Sequence, residues 1–387
     1  MTKQGVQHMR GFLRGGGEAF RRAFIPGWSR IHGSRSLTLY NPILAPFSLV
    51  YGLGVMCRLW AYRLGLFGRR RLPGFVVSVG NLTTGGTGKT PAVIMLAKWA
   101  QAEGKKVAVL SRGFGGRYRD QVLAVSDGNR VLADPRAAGD EPCLLAEKLP
   151  GIPVVLSRKR YRAGLFAHHR FGSDFFILDD GFQHLELKSD LAFVLLDVDR
   201  PFGNGHLLPW GPLREPIGQL HRADALILTR FNFSPSGHAA LRHMKEKFPE
   251  IPVFCAGHFP ERIVFPHTGQ DKAPAFLEGK RVLAFAGIAR PERFGETLRA
   301  LGAEVAFFKA FRDHHVYKRE EVQTLIQMKE AYRAQYVVTT EKDWVKVGAL
   351  NETYGEIGYL NIRFGVVSDE NRFFKIIQNG FRDRQTL

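Results

Sequence analysis

A phosphate-binding loop is the feature of this sequence that most restricts how the chain can fold. The run Asn81–Thr90, Asn-Leu-Thr-Thr-Gly-Gly-Thr-Gly-Lys-Thr, follows the apolar segment 75–80 and precedes the helix-like segment 91–100. In a strand–turn–helix unit of this kind, backbone N–H groups curl around a polyphosphate and the helix N-terminus adds partial positive charge. The pattern predicts a nucleotide site in which Lys89 reaches the terminal phosphates and the Thr90 hydroxyl binds Mg²⁺.

One position departs from the strict phosphate-loop pattern, which has a glycine five residues before Gly88, where this chain has Thr83. The alternative interpretation is a glycine-rich turn between a strand and a helix that binds no ligand. The flanking strand and helix favour the nucleotide site.

The composition is that of a folded protein with room for two ordinary domains. The chain has 387 residues, of which 45% are hydrophobic, so it can bury cores of normal size and does not belong to the disordered class. Its three cysteines, Cys57, Cys143 and Cys255, form no paired motif. This spacing fits a reducing compartment and argues against a disulfide framework or a cysteine-bound metal.

Positive charge is concentrated in the N-terminal part of the chain. The formal net charge is +19, and residues 1–73 hold twelve Lys and Arg against the single acid Glu18, which gives 12 − 1 = +11. A basic segment of this kind binds either nucleic acid or anionic lipid head groups. The apolar residues within the same region decide between the two.

An uncharged, largely apolar segment, residues 36–57, lies inside this basic region. Pro42 and Pro46 predict that its helix begins near Phe47, and the helix continues to Phe67, long enough to span a bilayer but interrupted by two arginines. Aromatic residues and an arginine cluster at its end are typical of interfaces. We favour a helix in the membrane surface over a transmembrane span, and an ordinary helix packed on a soluble core is the other alternative.

Short apolar runs alternate with helix-like segments after residue 74. Such alternation is typical of a parallel sheet with helices on both faces. The predicted strands are Phe75–Val79, Lys106–Leu110, Val154–Leu156, Phe175–Leu178, Leu191–Leu196, Ala223–Thr229, Val253–Ala256, Val282–Ala286, Glu304–Phe308 and Tyr336–Thr340. The fold class is therefore α/β: a phosphate-loop NTPase-type parallel sheet, a second, smaller α/β domain across a cleft, and an N-terminal membrane-associated helix.

The predicted domain boundaries follow changes in composition. They give a basic flexible extension at 1–36, the membrane-associated helix at 37–73, the phosphate-loop domain at 74–258, a linker rich in Pro, Gly and polar residues at 259–279, and a C-terminal α/β domain at 280–387. The apolar segment lies too far from the first residue for a cleavable signal peptide.

Two adjacent carboxylates, Asp179 and Asp180, end a predicted strand. An apolar strand that ends in acids is typical of the metal-holding position of NTPases. Because neighbouring side chains of an extended chain point to opposite sides, one carboxylate would face the metal while the other orients Lys89 or a metal-bound water. The alternative is a helix N-cap followed by a turn.

Other strand ends and loops carry polar residues, as a site at the carboxyl edge of an α/β sheet requires. Arg112 begins a glycine-rich turn that suits an anion, and Asp140 precedes a helical run, where an N-cap role is the simpler explanation. The irregular, apolar stretch 202–216 favours a functional loop. His314 follows Asp313 at the end of a later strand, and a lone pair of this type is more often structural than catalytic.

Taken in order, these segments resemble the tetraacyldisaccharide 4′-kinases, the lipid A kinases of Gram-negative bacteria. The resemblance begins near Leu39 and rests on the apolar helix and on motifs at Val79–Pro91, Ser111–Gly115, Gly139–Pro142, Asp179–His184, Gly211–Pro216, Phe285–Ile288, Phe311–His315 and Thr340–Asp343. So many ordered motifs are specific where Gly-Lys-Thr alone would not be. The family's own loop has the form Gly-Asn-Leu-Thr-x-Gly-Gly-x-Gly-Lys-Thr-Pro, so Thr83 agrees with it.

The resemblance implies transfer of the ATP γ-phosphate to the 4′-hydroxyl of a tetraacylated glucosamine disaccharide 1-phosphate, which gives lipid IVA at the cytoplasmic face of the inner membrane. It implies ATP and Mg²⁺ as cofactors, and an anionic glycolipid and a membrane surface as partners. It implies neither nucleic acid nor an obligate protein partner.

The resemblance also implies roles for single residues. Asp140 would be the general base on the sugar hydroxyl, supported by His314, with Lys89, Asp179 and Asp180 completing the catalytic set. The remaining roles are nucleotide binding by Thr83, Thr84, Gly85, Gly86, Thr87, Gly88, Lys89, Thr90 and Pro91, substrate binding by Arg112, Arg160, Gln183, His184 and Arg214, and magnesium binding by Thr90 with Asp180 or Glu215.

Two other classes stay open from the sequence. A membrane-associated partitioning or regulatory ATPase would also pair a phosphate loop with an amphipathic helix, but it gives no role to the strand end at Asp313 and His314. A nucleic-acid-binding protein would explain the charge of +19, but the basic residues flank an apolar helix and no nucleic-acid motif is present.

Overall fold

The computed structural model describes residues 41–113, 116–118, 122–348, 350 and 357–386. The predicted extension at 1–36, and Phe114 and Gly115 of the glycine-rich turn, lie outside the described residues.

The chain forms two compact units. The smaller is drawn from the chain up to Arg69, Leu82–Gly85 and Arg200–Arg222, and the larger comprises Arg70–Asn81, Gly86–Asp199 and Ala223–Leu387. The predicted C-terminal domain falls within the larger unit, and so does the predicted phosphate-loop domain apart from Leu82–Gly85 and Arg200–Arg222.

The smaller unit is organised by helix α1 (Asn41–Arg63). Ser48 Oγ donates to the carbonyl oxygen of Leu207 and the Tyr51 hydroxyl donates to that of Arg214, both at 2.9 Å, so the irregular stretch 202–216 is bound along the helix. A 3₁₀ helix, Ile217–Arg222, ends this part of the chain.

The predicted helix start near Phe47 was wrong, because α1 begins at Asn41 and contains Pro46. Pro42 is the second residue of α1, where the first turn leaves the backbone N–H unpaired in any case, whereas Pro46 lies inside the helix and removes one donor from its ladder. Among the described residues, α1 is the one helix that is long and apolar enough to cross a membrane.

The larger unit holds a single mixed sheet. Its strands are β1 (Phe75–Asn81), β2 (Val107–Ser111), β3 (Leu123–Asp127), β4 (Pro153–Leu156), β5 (Phe175–Asp179), β6 (Leu191–Asp197), β7 (Ala225–Thr229), β8 (Val253–Phe265), β9 (Gln270–Lys272), β10 (Arg281–Ala286), β11 (Glu304–Ala310), β12 (Tyr336–Thr340) and β13 (Ile357–Val366). Their order across the sheet is β11-β10-β12-β13-β8-β7-β6-β1-β5-β2-β4-β3, with β9 paired to β8. Most neighbours are parallel, whereas β3, β9 and the β8–β13 pair are antiparallel.

Helices cover both faces of this sheet, as the sequence predicted. They are α2 (Lys89–Ala102), α3 (Pro135–Ala138), α4 (Asp140–Lys148), α5 (Arg160–Phe171), α6 (Gly237–Lys247), α7 (Pro291–Ala300), α8 (Arg319–Ala331), α9 (Glu341–Gly348) and α10 (Glu370–Gln385). Because strand side chains alternate, Val77 packs in the core that includes Leu96 of α2, while Val76 packs with Ala163 of α5. Burying one large side chain such as Phe176 contributes about 1.5–3 kcal/mol.

Residues 259–279, predicted to be a linker, contain regular structure instead. The second half of β8, the strand β9 and the 3₁₀ helix Pro274–Leu277 lie there. Strand β8 pairs with β7 through its first residues and with β13 through the rest, so it continues the sheet across the predicted boundary. The prediction was wrong because pairing with two neighbours overrides a polar, proline-containing sequence.

The sheet brings the candidate residues of the larger unit to one edge. Strands β6, β1, β5 and β2 are neighbours in the sheet. The phosphate loop follows β1, and acidic residues lie at the carboxyl ends of β5 and β6. Ligands of α/β sheets bind at that edge.

Candidate active site

The phosphate loop enters α2 through a glycine that no other residue could replace without strain. Gly88 has φ of +85° and immediately precedes Lys89, the first residue of α2. A Cβ atom at Gly88 would lie 2.9 Å from Nε2 of His258. This backbone leaves the N-terminal amides of α2 available to an anion.

The remaining predicted nucleotide-binding residues divide between the two units. Thr83 and Thr84 belong to the smaller unit, where Thr83 bridges to Leu213 and the Thr84 amide donates to Pro212. In the larger unit, Thr87 is buried and its hydroxyl has no hydrogen-bond partner among the described residues. An orphaned hydroxyl within a phosphate loop fits an oxygen-rich ligand.

Asp179, the last residue of β5, and Asp180 face different groups, and which of the two faces a metal stays a prediction. Ser111 Oγ donates to Asp179 Oδ2 at 2.9 Å, and Lys89 Nζ lies 3.5 Å from Asp180 Oδ1. Asp179 is only 4% exposed, and burial, with the charges of Glu141 and Asp180, raises its pKa to about 6. Asp180 has φ of +53°, a rare backbone conformation that turns its carboxylate away from the strand direction.

Two residues predicted to bind substrate hold the backbone instead. Arg160 is 3% exposed and donates to the carbonyl oxygens of Ser157 and Asp179, and burial lowers its pKa to about 10. Gln183 donates its side-chain amide to the carbonyl oxygen of Asn81 at 2.9 Å. Because these contacts fix the ends of β5 and β1, we do not propose either side chain as a substrate contact.

Asp140 and His314 meet although they lie far apart in the sequence. Nδ1 of His314 is 3.2 Å from both carboxylate oxygens of Asp140. Asp140 is the first residue of α4 and is buried, and His314 lies in the loop after β11 with φ of +58°. A histidine held in this uncommon conformation by its surroundings is typical of functional sites.

Charged groups around the pair set its protonation. Burial opposes ionisation of Asp140, but the hydrogen bond to His314 and the charges of Lys342 and Lys346 outweigh it and hold the pKa of Asp140 well below its usual range. Burial likewise disfavours the charged imidazole, but the hydrogen bond to Asp140 outweighs it and raises the pKa of His314 above its ordinary value of 6.5. The pair therefore combines an ionised carboxylate with an imidazole that titrates above that value.

The raised pKa of His314 predicts a loss of stability as pH rises. The folded protein holds the imidazole proton more tightly than the unfolded chain, so this stabilisation is complete below the ordinary pKa of 6.5 and is lost as pH rises through the folded pKa. The free energy of unfolding, measured by chemical denaturation between about pH 6 and about pH 9, should fall across that window. In His314→Gln the fall should be smaller, and an equal fall in the variant would contradict the assignment.

A buried carboxylate that sequence reasoning missed supports this histidine. Asp343, with 0% exposure, accepts from the Gly287 amide at 2.9 Å, and the Gly287 carbonyl oxygen accepts from the His314 amide at 3.1 Å. Asp343 also accepts from the Thr340 hydroxyl and lies 3.0 Å from Lys346 Nζ. The signal that could have found it is the Thr-x-x-Asp spacing, a capping pattern at the start of α9.

Glu215 lies in the smaller unit among arginines. It is buried, it accepts from Arg222, and its Oε1 is 4.0 Å from Arg58 of α1. Burial raises its pKa despite these charges. Its magnesium role stays a prediction, as do the substrate roles of Arg112, which is exposed, and of half-buried His184 and Arg214.

The donor set near Lys89 fits Mg²⁺ held in the manner of kinases. Among the described residues there is no group of three or more His, Cys, Asp or Glu side chains that could hold a metal by itself. Mg²⁺ in such enzymes is bound by one or two protein oxygens together with substrate phosphates and water. The Thr90 hydroxyl at the start of α2 and the Asp180 carboxylate beside Lys89 are oxygen ligands of the required kind.

Comparison with known proteins identifies the family of this chain. A family model described as Tetraacyldisaccharide-1-P 4′-kinase matches residues 40–382. The tetraacyldisaccharide 4′-kinase of Syntrophus aciditrophicus is 43% identical over 332 residues, which are 84% of this chain and 89% of that protein. That of Geobacter metallireducens is 43% identical over 315 residues, 81% of this chain and 90% of that protein.

A solved structure agrees with these relatives. It is described as the "apo" form of LpxK from Aquifex aeolicus in complex with ATP, and it matches with a TM-score of 0.72 and 32% identity. The match covers 88% of this chain and 99% of that chain.

Proposed function

The chain belongs to the tetraacyldisaccharide 4′-kinase family, and from this premise we propose how its residues carry out the reaction. It is an ATP-dependent kinase that phosphorylates the 4′-hydroxyl of tetraacyldisaccharide 1-phosphate, giving lipid IVA in lipid A biosynthesis. The partitioning ATPase considered as an alternative is not favoured, because the relatives are kinases.

The phosphate loop and Lys89 hold the β- and γ-phosphates of ATP. Phosphoryl transfer requires little covalent chemistry from the protein, so positioning and neutralisation of charge supply most of the rate. Lys89 lies where α2 begins, and the loop amides and Thr87 hydroxyl complete the cradle. Thr90 and Asp180 would hold Mg²⁺, which would supply positive charge against the phosphate oxygens.

The Asp140–His314 pair accepts the proton of the attacking hydroxyl. As the 4′-oxygen forms its bond to the γ-phosphorus, the bond from that phosphorus to the oxygen of ADP breaks, and the hydroxyl proton passes to a carboxylate oxygen of Asp140. The single observation that carries this assignment is the contact of Nδ1 with both oxygens of Asp140 at 3.2 Å. A carboxylate with a low pKa is a weak base, so the adjacent imidazole supports the transfer by holding Asp140 in position.

Three cationic or polar side chains remain candidates for the 1-phosphate and the sugars. Arg112 and Arg214 present guanidinium groups, which bind phosphate oxygens in a bidentate manner. His184 follows the acids of β5 and keeps part of its surface accessible.

Transfer of labelled phosphate tests the function directly. The purified protein is incubated in detergent with γ-labelled ATP, Mg²⁺ and tetraacyldisaccharide 1-phosphate, and the lipid fraction is counted. Labelled lipid that depends on the acceptor is the expected result. Release of free phosphate without labelled lipid would contradict the proposal that this lipid is the phosphate acceptor.

Helix α1 seats the enzyme in the cytoplasmic face of the bacterial inner membrane. Its exposed residues include Leu49, Val50 and Leu53, which are 59–66% accessible, and Trp60 near its end is 60% accessible. Exposed apolar side chains on one helix next to basic residues are typical of an interfacial anchor.

Polar substitution of this face should release the protein from membranes. The triple variant Leu49→Gln, Val50→Gln, Leu53→Gln loses about 4.5–6 kcal/mol of membrane burial if each side chain loses about 1.5–2 kcal/mol. Flotation with vesicles containing anionic lipid should then leave most of the protein unbound. The matched control Val131→Gln, Leu132→Gln, Val367→Gln alters three exposed apolar residues elsewhere, 46–55% accessible, and should still float. Equal membrane binding by both variants would mean that the protein attaches to the membrane through residues outside this face of α1.

A further inference from the structure

The second nitrogen of the His314 ring faces a lysine. Lys342 Nζ lies 3.4 Å from His314 Nε2 and donates to Glu141 Oε1 at 2.9 Å. Lys342 is the second residue of α9, and its side chain is 20% exposed. The imidazole therefore lies between a carboxylate at Nδ1 and an ammonium group at Nε2.

Donor and acceptor chemistry leaves one arrangement of the neutral ring. An ionised carboxylate only accepts hydrogen bonds, so Nδ1 must carry the proton that Asp140 accepts. An ammonium group only donates, so Nε2 must present its lone pair to Lys342. Both neighbours keep these charges, because the low pKa of Asp140 and the raised pKa of Lys342 both favour the ionised forms.

The other charged groups around the ring do not reverse this arrangement. Asp313 Oδ1 is 3.9 Å from Nε2, farther than Lys342, and the same oxygen lies 3.8 Å from Lys342 Nζ. On the opposite side, Lys346 Nζ is 3.8 Å from Asp140 Oδ2 and contacts Asp343. Lys342 is therefore the group that selects the state of Nε2.

We propose that Lys342 is a positioning residue that fixes neutral His314 as the Nδ1–H tautomer, so that the ring always donates to Asp140. This inference rests on the proposed role of the Asp140–His314 pair. Each carboxylate oxygen of Asp140 has two lone pairs, and the hydrogen bond from the ring uses at most one of them. The other lone pair of each oxygen can accept the substrate proton. The positive charge of Lys342 also disfavours the imidazolium ion, so its removal raises the pKa of His314.

Nitrogen NMR tests the tautomer without reference to activity. The whole protein, labelled with ¹⁵N-histidine in detergent, is compared with His314→Gln to identify the ring signals, at alkaline pH where the ring is neutral. The wild type should show a protonated Nδ1 and an unprotonated Nε2. Lys342→Met should shift both signals towards a mixture of tautomers, and Lys342→Arg should restore them.

Two further variants separate this contact from general effects. Glu141→Gln with Lys342→Met removes both charges of the pair, so it keeps the test valid if the single variant folds poorly. Lys346→Met removes a cation beside Asp140 but not beside Nε2, and should leave the tautomer unchanged. A protonated Nε2 in the wild type, or an unchanged tautomer in Lys342→Met, would overturn the inference.

The pH profile of kcat/KM then tests the proposed function separately. Loss of the cation should move the acidic limb to higher pH by about one unit in Lys342→Met and not in Lys342→Arg. A changed tautomer with an unmoved limb would uphold the positioning role of Lys342 and reject the pair as the base that limits turnover.

Discussion

Lys89→Ala is expected to lower kcat about a thousandfold, the size of effect seen when a group that stabilises charge on a transferring phosphoryl is removed. Lys89 opens α2 directly after Gly88, and its ammonium group lies 3.5 Å from Asp180. Alanine keeps the helix and removes the cation that neutralises the γ-phosphate in the transition state. The measurement is transfer of labelled phosphate to tetraacyldisaccharide 1-phosphate at saturating ATP.

The control for this variant is Lys98→Ala, which removes an exposed cation from the same helix. It should retain near-normal turnover, and both variants should unfold at similar denaturant concentrations. A near-normal kcat in Lys89→Ala would remove the phosphate loop from the catalytic site. A loss of activity matched by loss of folded protein would mean that Lys89 acts through Asp180 on stability instead.

Most parallel strands of the sheet could be predicted because they are buried on both faces. Strands such as β1, β5 and β6 are entirely buried and read as unbroken apolar runs. Helices between them complete a pattern that a single sequence reveals. All ten predicted strands are present: the ends of nine differ by at most two residues, whereas β8 extends nine residues beyond its predicted end.

The strands that were missed lie in antiparallel pairs. β3 and β9 are short and partly exposed, and β13 contains glycine and polar residues along its length. The second half of β8 includes Pro260, which pairs next to a register irregularity in β13, where a ladder tolerates a missing donor. Such strands depend on partners distant in sequence, so local pattern gives little sign of them.

The candidate site divides in the same way. The phosphate loop and the acids at the end of β5 are local features of the sequence. Their residue types and spacing were enough to indicate phosphate and metal binding. The proximity of Asp140 to His314 spans 174 residues and was implied by family resemblance, because no spacing in the sequence could reveal it. The supporting residues Ser111, Lys342 and Asp343 received no role, because each acts through a contact that only the folded sheet creates.

Asp140→Asn and His314→Ala should each lower kcat by about 10²–10⁴-fold, the usual contribution of general base catalysis. Asparagine keeps the shape of Asp140 but has no basic oxygen of comparable strength, and alanine removes the ring that holds the carboxylate in position. Neither side chain is assigned to ATP, so KM for ATP should change much less than kcat. His315→Ala is the matched control, because the neighbouring imidazole contacts Glu321 at 3.0 Å instead of Asp140.

The double variant decides whether the two residues act as one unit. If Asp140 accepts the proton only with His314 beside it, then either single substitution already removes most of the rate that the pair supplies. Substituting the second residue as well then lowers kcat little further. The double variant should therefore be about as slow as the slower single variant, a large non-additivity of the kind that coupled residues show. Losses that multiply would mean that the two side chains contribute independently, and that the 3.2 Å contact holds the structure together without joining them in catalysis.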